Sequence, residues 1–158
     1  MSHVSPYFKP VWLLLAGSLL LPAGCGASHP ETVPVRGRVT LDGGAWPEPG
    51  RLYFVNVEAA EGFPQHPGRA DFGTDGYFEA WTWEKGDGLM PGTYRVAVHC
   101  WVVDPTMETE GESPVPMPYR RGSTSELELT VEPGSPSAVT GVSAPERSSA
   151  IRIIPWLS

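Results

Sequence analysis

The sequence predicts an all-β protein: a single antiparallel seven-stranded β-sandwich that follows a cleaved signal peptide. Three observations carry this. The chain of 158 residues holds 18 glycines and 18 prolines, a load that long helices do not tolerate, because Gly has no preferred φ and Pro has no amide proton. Short runs of alternating apolar and polar residues are bounded by Gly, Asp and Pro turn clusters. No amphipathic helical pattern separates these runs, so consecutive strands are expected to pair antiparallel. With 41% apolar and 10% aromatic residues, the chain can build a core without disulfides.

The N-terminal segment is of a different kind. His3, Lys9 and the amino terminus form a weakly basic start, and residues 11–21 (VWLLLAGSLLL) form an apolar run of 11. At about 1.5 Å per residue, such a helix falls far short of a ~30 Å hydrocarbon core. It is too short for a membrane span and suits the apolar region of a signal peptide. The run breaks at Pro22, and Ala23-Gly24-Cys25 follow. This ending resembles a bacterial lipobox, in which small residues precede a Cys that receives diacylglycerol. Pro22 departs from the pattern, which usually has Leu there. The resemblance implies that residues 1–24 are a lipoprotein signal peptide and that Cys25 is the lipid-attachment residue. The alternative is ordinary cleavage nearby with Cys25 a bystander.

Beyond the signal the chain has only Cys25 and Cys100. Acylation of Cys25 leaves Cys100 without a disulfide partner, whereas a Cys25–Cys100 bridge needs the N-terminus to fold back onto a strand. Residues 25–34, small, polar and Pro-bearing, read as a tether to a domain over 35–155. The expected location is therefore outside the cytoplasm, as an exported protein lipid-anchored in the cell envelope. Gly26 stands where an Asp is associated with inner-membrane retention in some bacteria, which favours the outer membrane over the inner.

Lys9 is the only one of 11 basic residues in the signal, which holds none of the 18 acids, so 10 basic face 18 acidic residues in the rest. Such a surface repels phosphate backbones, and nucleic acid is not an expected partner.

The strands follow in order. In residues 35–41 (VRGRVTL), Val35, Gly37, Val39 and Leu41 share one face, and Asp42-Gly43-Gly44 turns the chain. Residues 52–57 form a second strand and a Gly/Pro-rich loop over 59–68 leads to a short third at 69–73. Thr74-Asp75-Gly76 is a hairpin signature. The return strand is expected over 77–83, the longest over 93–103, and the last two over 124–131 and 149–154. Two segments read as connections: the acidic, Pro-rich 104–118 and the Ser/Pro/Gly-rich 133–148.

Val35-x-Gly37-x-Val39-Thr40-Leu41-Asp42-Gly43, Leu52-x-Phe54, Thr74-Asp75-Gly76-x-Phe78 and Pro91-Gly92-x-Tyr94-x-Val96-x-Val98 occur in that order. They resemble the carboxypeptidase regulatory-like domain, a transthyretin-like (prealbumin-type) sandwich. The whole chain is similar to small bacterial envelope lipoproteins carrying that domain, with Pro116-Met117-Pro118-Tyr119 and Thr124-Ser125 in their usual places. The resemblance spans roughly 35–154 and implies a fold and a location rather than an activity. Such domains are usually accessory or binding modules without catalytic residues. Hydroxyisourate hydrolases share the fold and end in Tyr-Arg-Gly-Ser. Tyr119-Arg120-Arg121-Gly122-Ser123 carries an extra Arg and lies far from the terminus, so it reads as a chance look-alike.

Asp71, Asp75 and Glu79 recur every four residues around the hairpin, but calcium needs six to eight oxygens from a flexible loop. Asp75 is explained by the turn, and no calcium is expected. His29, His66 and His99 are scattered over tether, loop and strand, with no metal-ligand spacing. No metal and no cofactor are expected, and no nucleophile elbow invites hydrolysis.

The aromatics carry the sharpest hypothesis. The resemblance implies that Phe78 is on the core face, and a strand over 77–83 then turns Tyr77, Glu79, Trp81 and Trp83 outward. On the long strand, Tyr94, Val96, Val98, Cys100 and Val102 face the core, and His99 and Trp101 face out. If these strands are neighbours, Trp81, Trp83, Trp101 and His99 form an aromatic binding face. The competing reading has loop 104–118 or 133–148 folding over the rings. The function expected is a non-enzymatic, lipid-anchored envelope module that binds a protein or glycan. The alternative is a structural spacer of an envelope assembly, and a transthyretin-like hydrolase ranks third.

Overall fold

A computed structural model describes residues 29–134, 139–143 and 151–155. The expected signal peptide, Cys25 and the expected tether up to residue 28 lie outside these.

Eight strands follow in chain order: β1 (Arg36–Leu41), β2 (Gly50–Ala59), β3 (Gly68–Phe72), β4 (Tyr77–Glu79), β5 (Gly92–Cys100), β6 (Glu128–Val131), β7 (Val139–Ser143) and β8 (Ile151–Pro155). All pairings are antiparallel. The all-β, antiparallel expectation holds. The hydrogen-bonded order runs unbroken as β7-β6-β5-β2-β3-β4-β1-β8, and the sheet curls into a half-barrel with β7 approaching β8. The eighth strand, β7, lies in the stretch read as a connection. Its Val139-Thr140-Gly141-Val142 segment has too little apolar contrast against its Ser- and Pro-rich flanks to be recognised alone.

Alternation decides which side closes the core. Leu52 and Phe54 of β2, Ala70 and Phe72 of β3, and Tyr94, Val96, Val98 and Cys100 of β5 are buried on the concave side. Phe78 of β4, Val39 of β1, and Ile151 and Ile153 of β8 complete this cluster. Trp46, from the loop after β1, adds its ring at 4.9 Å from Phe72 and donates Nε1–H to Val39 O at 2.8 Å. The hairpin between β3 and β4 is as the sequence predicts. Gly76 takes φ +78°, and a Cβ there would sit 2.0 Å from Val39 O. Asp75 Oδ1 meanwhile accepts the Tyr77 N–H at 3.1 Å.

Three strand ends differ from expectation by three residues or more. β4 stops at Glu79, not at 83. Ala80 and Trp81 are both buried, which a strand of period two forbids. The chain instead swings so that Trp81 and Arg69 exchange backbone hydrogen bonds at 2.8 and 2.9 Å. Asp87 anchors the bend that follows, its carboxylate accepting the N–H groups of Thr82, Trp83 and Glu84 at 2.7 to 3.0 Å. β5 ends at Cys100, so Val102, expected in the core, is 48% exposed. β6 begins at Glu128, and residues 124–127 reach it as a loop tied to β5 by Ser125 Oγ–H donating to Val96 O.

Candidate functional site

The convex side of the sheet carries the site, and the register builds it. Arg51 of β2 pairs with His99 of β5 on one side and with Asp71 of β3 on the other. One pairing further, Phe72 meets Phe78, and Glu79 of β4 pairs with Arg36 of β1. The row His99, Arg51, Asp71, Glu79, Arg36 therefore crosses five strands at right angles, all pointing outward. Its members pair off along the row. Arg51 Nε donates to Asp71 Oδ1 at 2.6 Å, and the Arg36 guanidinium donates to Glu79 Oε1 at 2.6 and 2.7 Å. Hydrogen bonds to Asp71 first and Tyr53 second hold the Arg51 pKa above its ordinary value. Both pairs stay more than two-fifths exposed. Ion pairs so exposed add ~0–1 kcal/mol to stability, so the row is a polar surface rather than a fastening.

Aromatic rings flank it. Tyr53 stands edge-on to the His99 ring at 4.8 Å and Trp101 continues outward from β5; together with Arg51, Asp71 and His99 they line a groove of about 470 Å³. Glu48 and Asp104 close one end of it. A second hollow of about 410 Å³ shares Asp71 with the first and adds Tyr77, Glu79 and Arg36. The Arg38 guanidinium lies 5.5 Å from the Tyr77 ring.

The segment after β5 lends the groove Trp101 and Asp104 and then packs beside it. Its 3-10 turn, Met117–Arg120, buries Tyr119, and Val115 is buried beside it in the cluster. Burial pushes the Tyr119 phenol pKa up, with Glu126 adding to it. Arg120 is held by its own loop: Nε donates to Val115 O at 2.7 Å and an Nη to Ser113 O at 3.1 Å. Its guanidinium lies 5.6 Å from the Trp101 ring. His99 Nε2–H donates to Arg120 O at 2.9 Å. A carbonyl can only accept, so this contact puts the proton on Nε2 and leaves Nδ1 as the acceptor of the neutral ring.

Of the four residues expected to share an aromatic face, the structure brings two together. His99 and Trp101 both line the groove. Trp81 and Trp83 do not join them, because β2 and β3 lie between β5 and β4. Trp81 is 7% exposed, packed in the core with Arg69 and Lys85 over its ring. Trp83 is half-buried between two histidines, stacked on His29 at 4.5 Å and tilted against His66 at 5.3 Å. Two of the three histidines read as scattered, His29 and His66, thus meet at one ring, while His99 stands apart in the groove. The competing reading had loop 104–118 or 133–148 folding over the rings; Trp81 instead carries Arg69 and Lys85, Val115 of the first loop is buried in the core cluster, and most of the second loop lies outside the described residues.

Arg51, Asp71 and Tyr53 were not singled out from sequence as site residues. Parity alone turns Arg51, Tyr53 and Asp71 outward, but only the order β5-β2-β3 shows that they stand beside His99. Asp71, Asp75 and Glu79 have three separate partners, Arg51, the Tyr77 amide and Arg36. Among the described residues no cluster of His, Cys, Asp or Glu could hold a metal ion, and no helix is long and apolar enough to cross a membrane.

Fold and site together define a curled antiparallel half-barrel with a polar, aromatic-flanked groove across its convex face. Set against models of known families, curated proteins and solved structures, the chain matches none.

Proposed function

We propose that this protein is a non-enzymatic, lipid-anchored module of the bacterial cell envelope that binds a protein or glycan on the convex face of its sheet. The observation that carries the binding half is the groove, which gathers Trp101, Tyr53 and His99 with the Arg51–Asp71 pair on an open surface. Grooves that combine apolar rings with a few placed polar groups are the usual form of a recognition site. The anchoring half rests on the apolar run 11–21 and Ala23-Gly24-Cys25. Export then places the domain in the envelope, and Gly26 favours the outer membrane.

The finer fold assignment belongs to the same proposal. Across the sheet, β3 and β4 share only the Phe72–Phe78 pair in register. The strands β4, β1 and β8 thus approximate a second layer folded against the other five. That arrangement, with the motif order from Val35 to Val98, supports a divergent carboxypeptidase regulatory-like, transthyretin-like sandwich.

A hydrolase reading draws support from His99 lying near Arg51 and Asp71. Binding accounts for the groove better, because His99 Nε2 is engaged by Arg120 O and no Ser, Thr or Cys is among its lining residues.

Two experiments test the two halves. Metabolic labelling with a palmitate analogue should mark the wild-type chain and not Cys25→Ala; unchanged labelling of the mutant sinks the anchor. A photo-crosslinking residue at position 53, activated in intact envelopes, should capture a protein or glycan, and a control at exposed Glu126 should not. Equal capture at both positions sinks the binding face.

A further inference from the structure

We infer that the ligand of this face is a neutral oligosaccharide lying along the row from Trp101 to Arg36, an inference that rests on the proposed binding face. The chemistry of the row selects the charge. Each carboxylate in it is already matched by a guanidinium 2.6 Å away. An anion approaching Arg51 meets Asp71 and the field of a chain with net charge −7. A cation approaching Asp71 or Glu79 meets the paired arginine instead, and the groove's two other carboxylates, Glu48 and Asp104, stand outside the row. A neutral polyol is repelled by neither. Its hydroxyl groups donate and accept at once, so adjacent hydroxyls can accept from a guanidinium and donate to the neighbouring carboxylate, which keeps unused lone pairs. Hydrogen bonds to charged partners are the stronger kind.

The rings supply what a sugar needs beyond hydroxyl contacts. A pyranose has an apolar C–H face, and Tyr53, Trp101 and Tyr77 offer aromatic surface on either side of the polar row. Tyr53 and Tyr77 are 37% and 44% exposed on the same convex face. The length selects a chain over a single sugar. Four strand spacings of about 4.8 Å give the row a length of roughly 19 Å measured along the curled sheet, and the two hollows on it share Asp71. A protein ligand would be expected to use apolar anchors, but the exposed valines of β2, Val55 and Val57, lie away from the groove, with Gly122 packed on Val55.

The test is a glycan array of neutral and anionic oligosaccharides probed with the full chain in mild detergent, followed by calorimetric titration of the best neutral hit. Retention on neutral oligosaccharides of three or more units, with no retention on the matching monosaccharide, is expected. Tyr53→Ala and Trp101→Ala should each weaken binding at least tenfold, and Asp71→Asn likewise, with far-UV circular dichroism unchanged. Tyr53 is exposed enough that its truncation leaves the core intact. Retention of anionic glycans alone, of no glycan, or undiminished affinity in all three variants overturns the inference. If no glycan binds while the crosslinker at position 53 captures an envelope protein, the saccharide falls and the binding face stands. If neither occurs, both fall.

Discussion

Three acidic side chains of the interior are shifted in the same direction. Burial raises the pKa of the Cys100 thiol, whose S–H donates to Glu48 O at 3.3 Å. Burial also raises the Tyr94 phenol, partly offset by Asn56, and the Tyr119 phenol. Tyr94 donates its O–H to Met90 O at 2.7 Å, a bond the phenolate cannot make. A folded-state pKa above the unfolded one means that the native chain holds its proton more tightly. The stability these groups contribute is complete below the ordinary thiol and phenol values, about 8.5 and 10. It is lost as pH climbs through the raised values. The urea midpoint should therefore be flat from pH 7 to about 8.5 and fall steeply on the alkaline side. Tyr94→Phe should lower the midpoint at pH 7, by about 1 kcal/mol for the lost hydrogen bond, and make the alkaline fall shallower. A Tyr94→Phe chain as alkali-sensitive as the wild type would show that Tyr94 does not drive the loss.

Among the elements, β2 holds the site because it is paired on both edges, and its first residue makes this possible. Gly50 pairs with Phe72 on one side and Cys100 on the other. A Cβ there would lie 2.3 Å from the Phe72 ring and 2.4 Å from His99 O, and the latter, as backbone, cannot step aside cheaply. Gly50→Ala should thus cost roughly 1–3 kcal/mol, the range for overpacking, and should also disturb His99, whose own carbonyl meets the added Cβ. A midpoint within error of the wild type would remove the close-approach argument. The same strand shows what was legible in the sequence. Alternation in β1 and β5 assigned Val39 and Val98 to the core directly, because both faces of those strands contrast strongly; in β2, Tyr53, Phe54 and Val55 are all apolar, and periodicity alone names no core face there. It failed after Glu79, where Ala80 and Trp81 are both apolar and the backbone leaves the strand: period two says nothing about where a strand stops. The outward positions of His99 and Trp101 were legible for the same reason. Their partners Arg51 and Asp71 were not, since strand adjacency is a property of pairing order and no local pattern encodes it.

For the whole molecule, the weak seam between β3 and β4 raises the question whether β4, β1 and β8 unfold with the rest. Backbone pairing there is limited to Phe72–Phe78 in register and the Arg69–Trp81 bridge. The side chains decide otherwise. One buried cluster takes Val39 from β1, Phe78 from β4 and Ile153 from β8 together with Phe54, Tyr94 and Leu129 from the other layer. Phe78 lies at its centre, 6.2 Å from Phe54 by ring centroids. A core shared across the seam couples the two layers more strongly than the few hydrogen bonds along it, because removing either layer exposes the apolar face of the other. Unfolding should therefore be a single transition, with tryptophan fluorescence and far-UV circular dichroism superimposing along a urea titration. The probes sample both layers, since Trp46 packs on Phe72 of β3 and bonds Val39 of β1, while Trp101 follows β5. Phe78→Ala should shift both curves together, by roughly 3–5 kcal/mol for a large ring lost from a core. Were the fluorescence curve to move ahead of the dichroism in that variant, the three-strand layer would be a separate unit and the ladder across five strands would be only as continuous as its weakest pair.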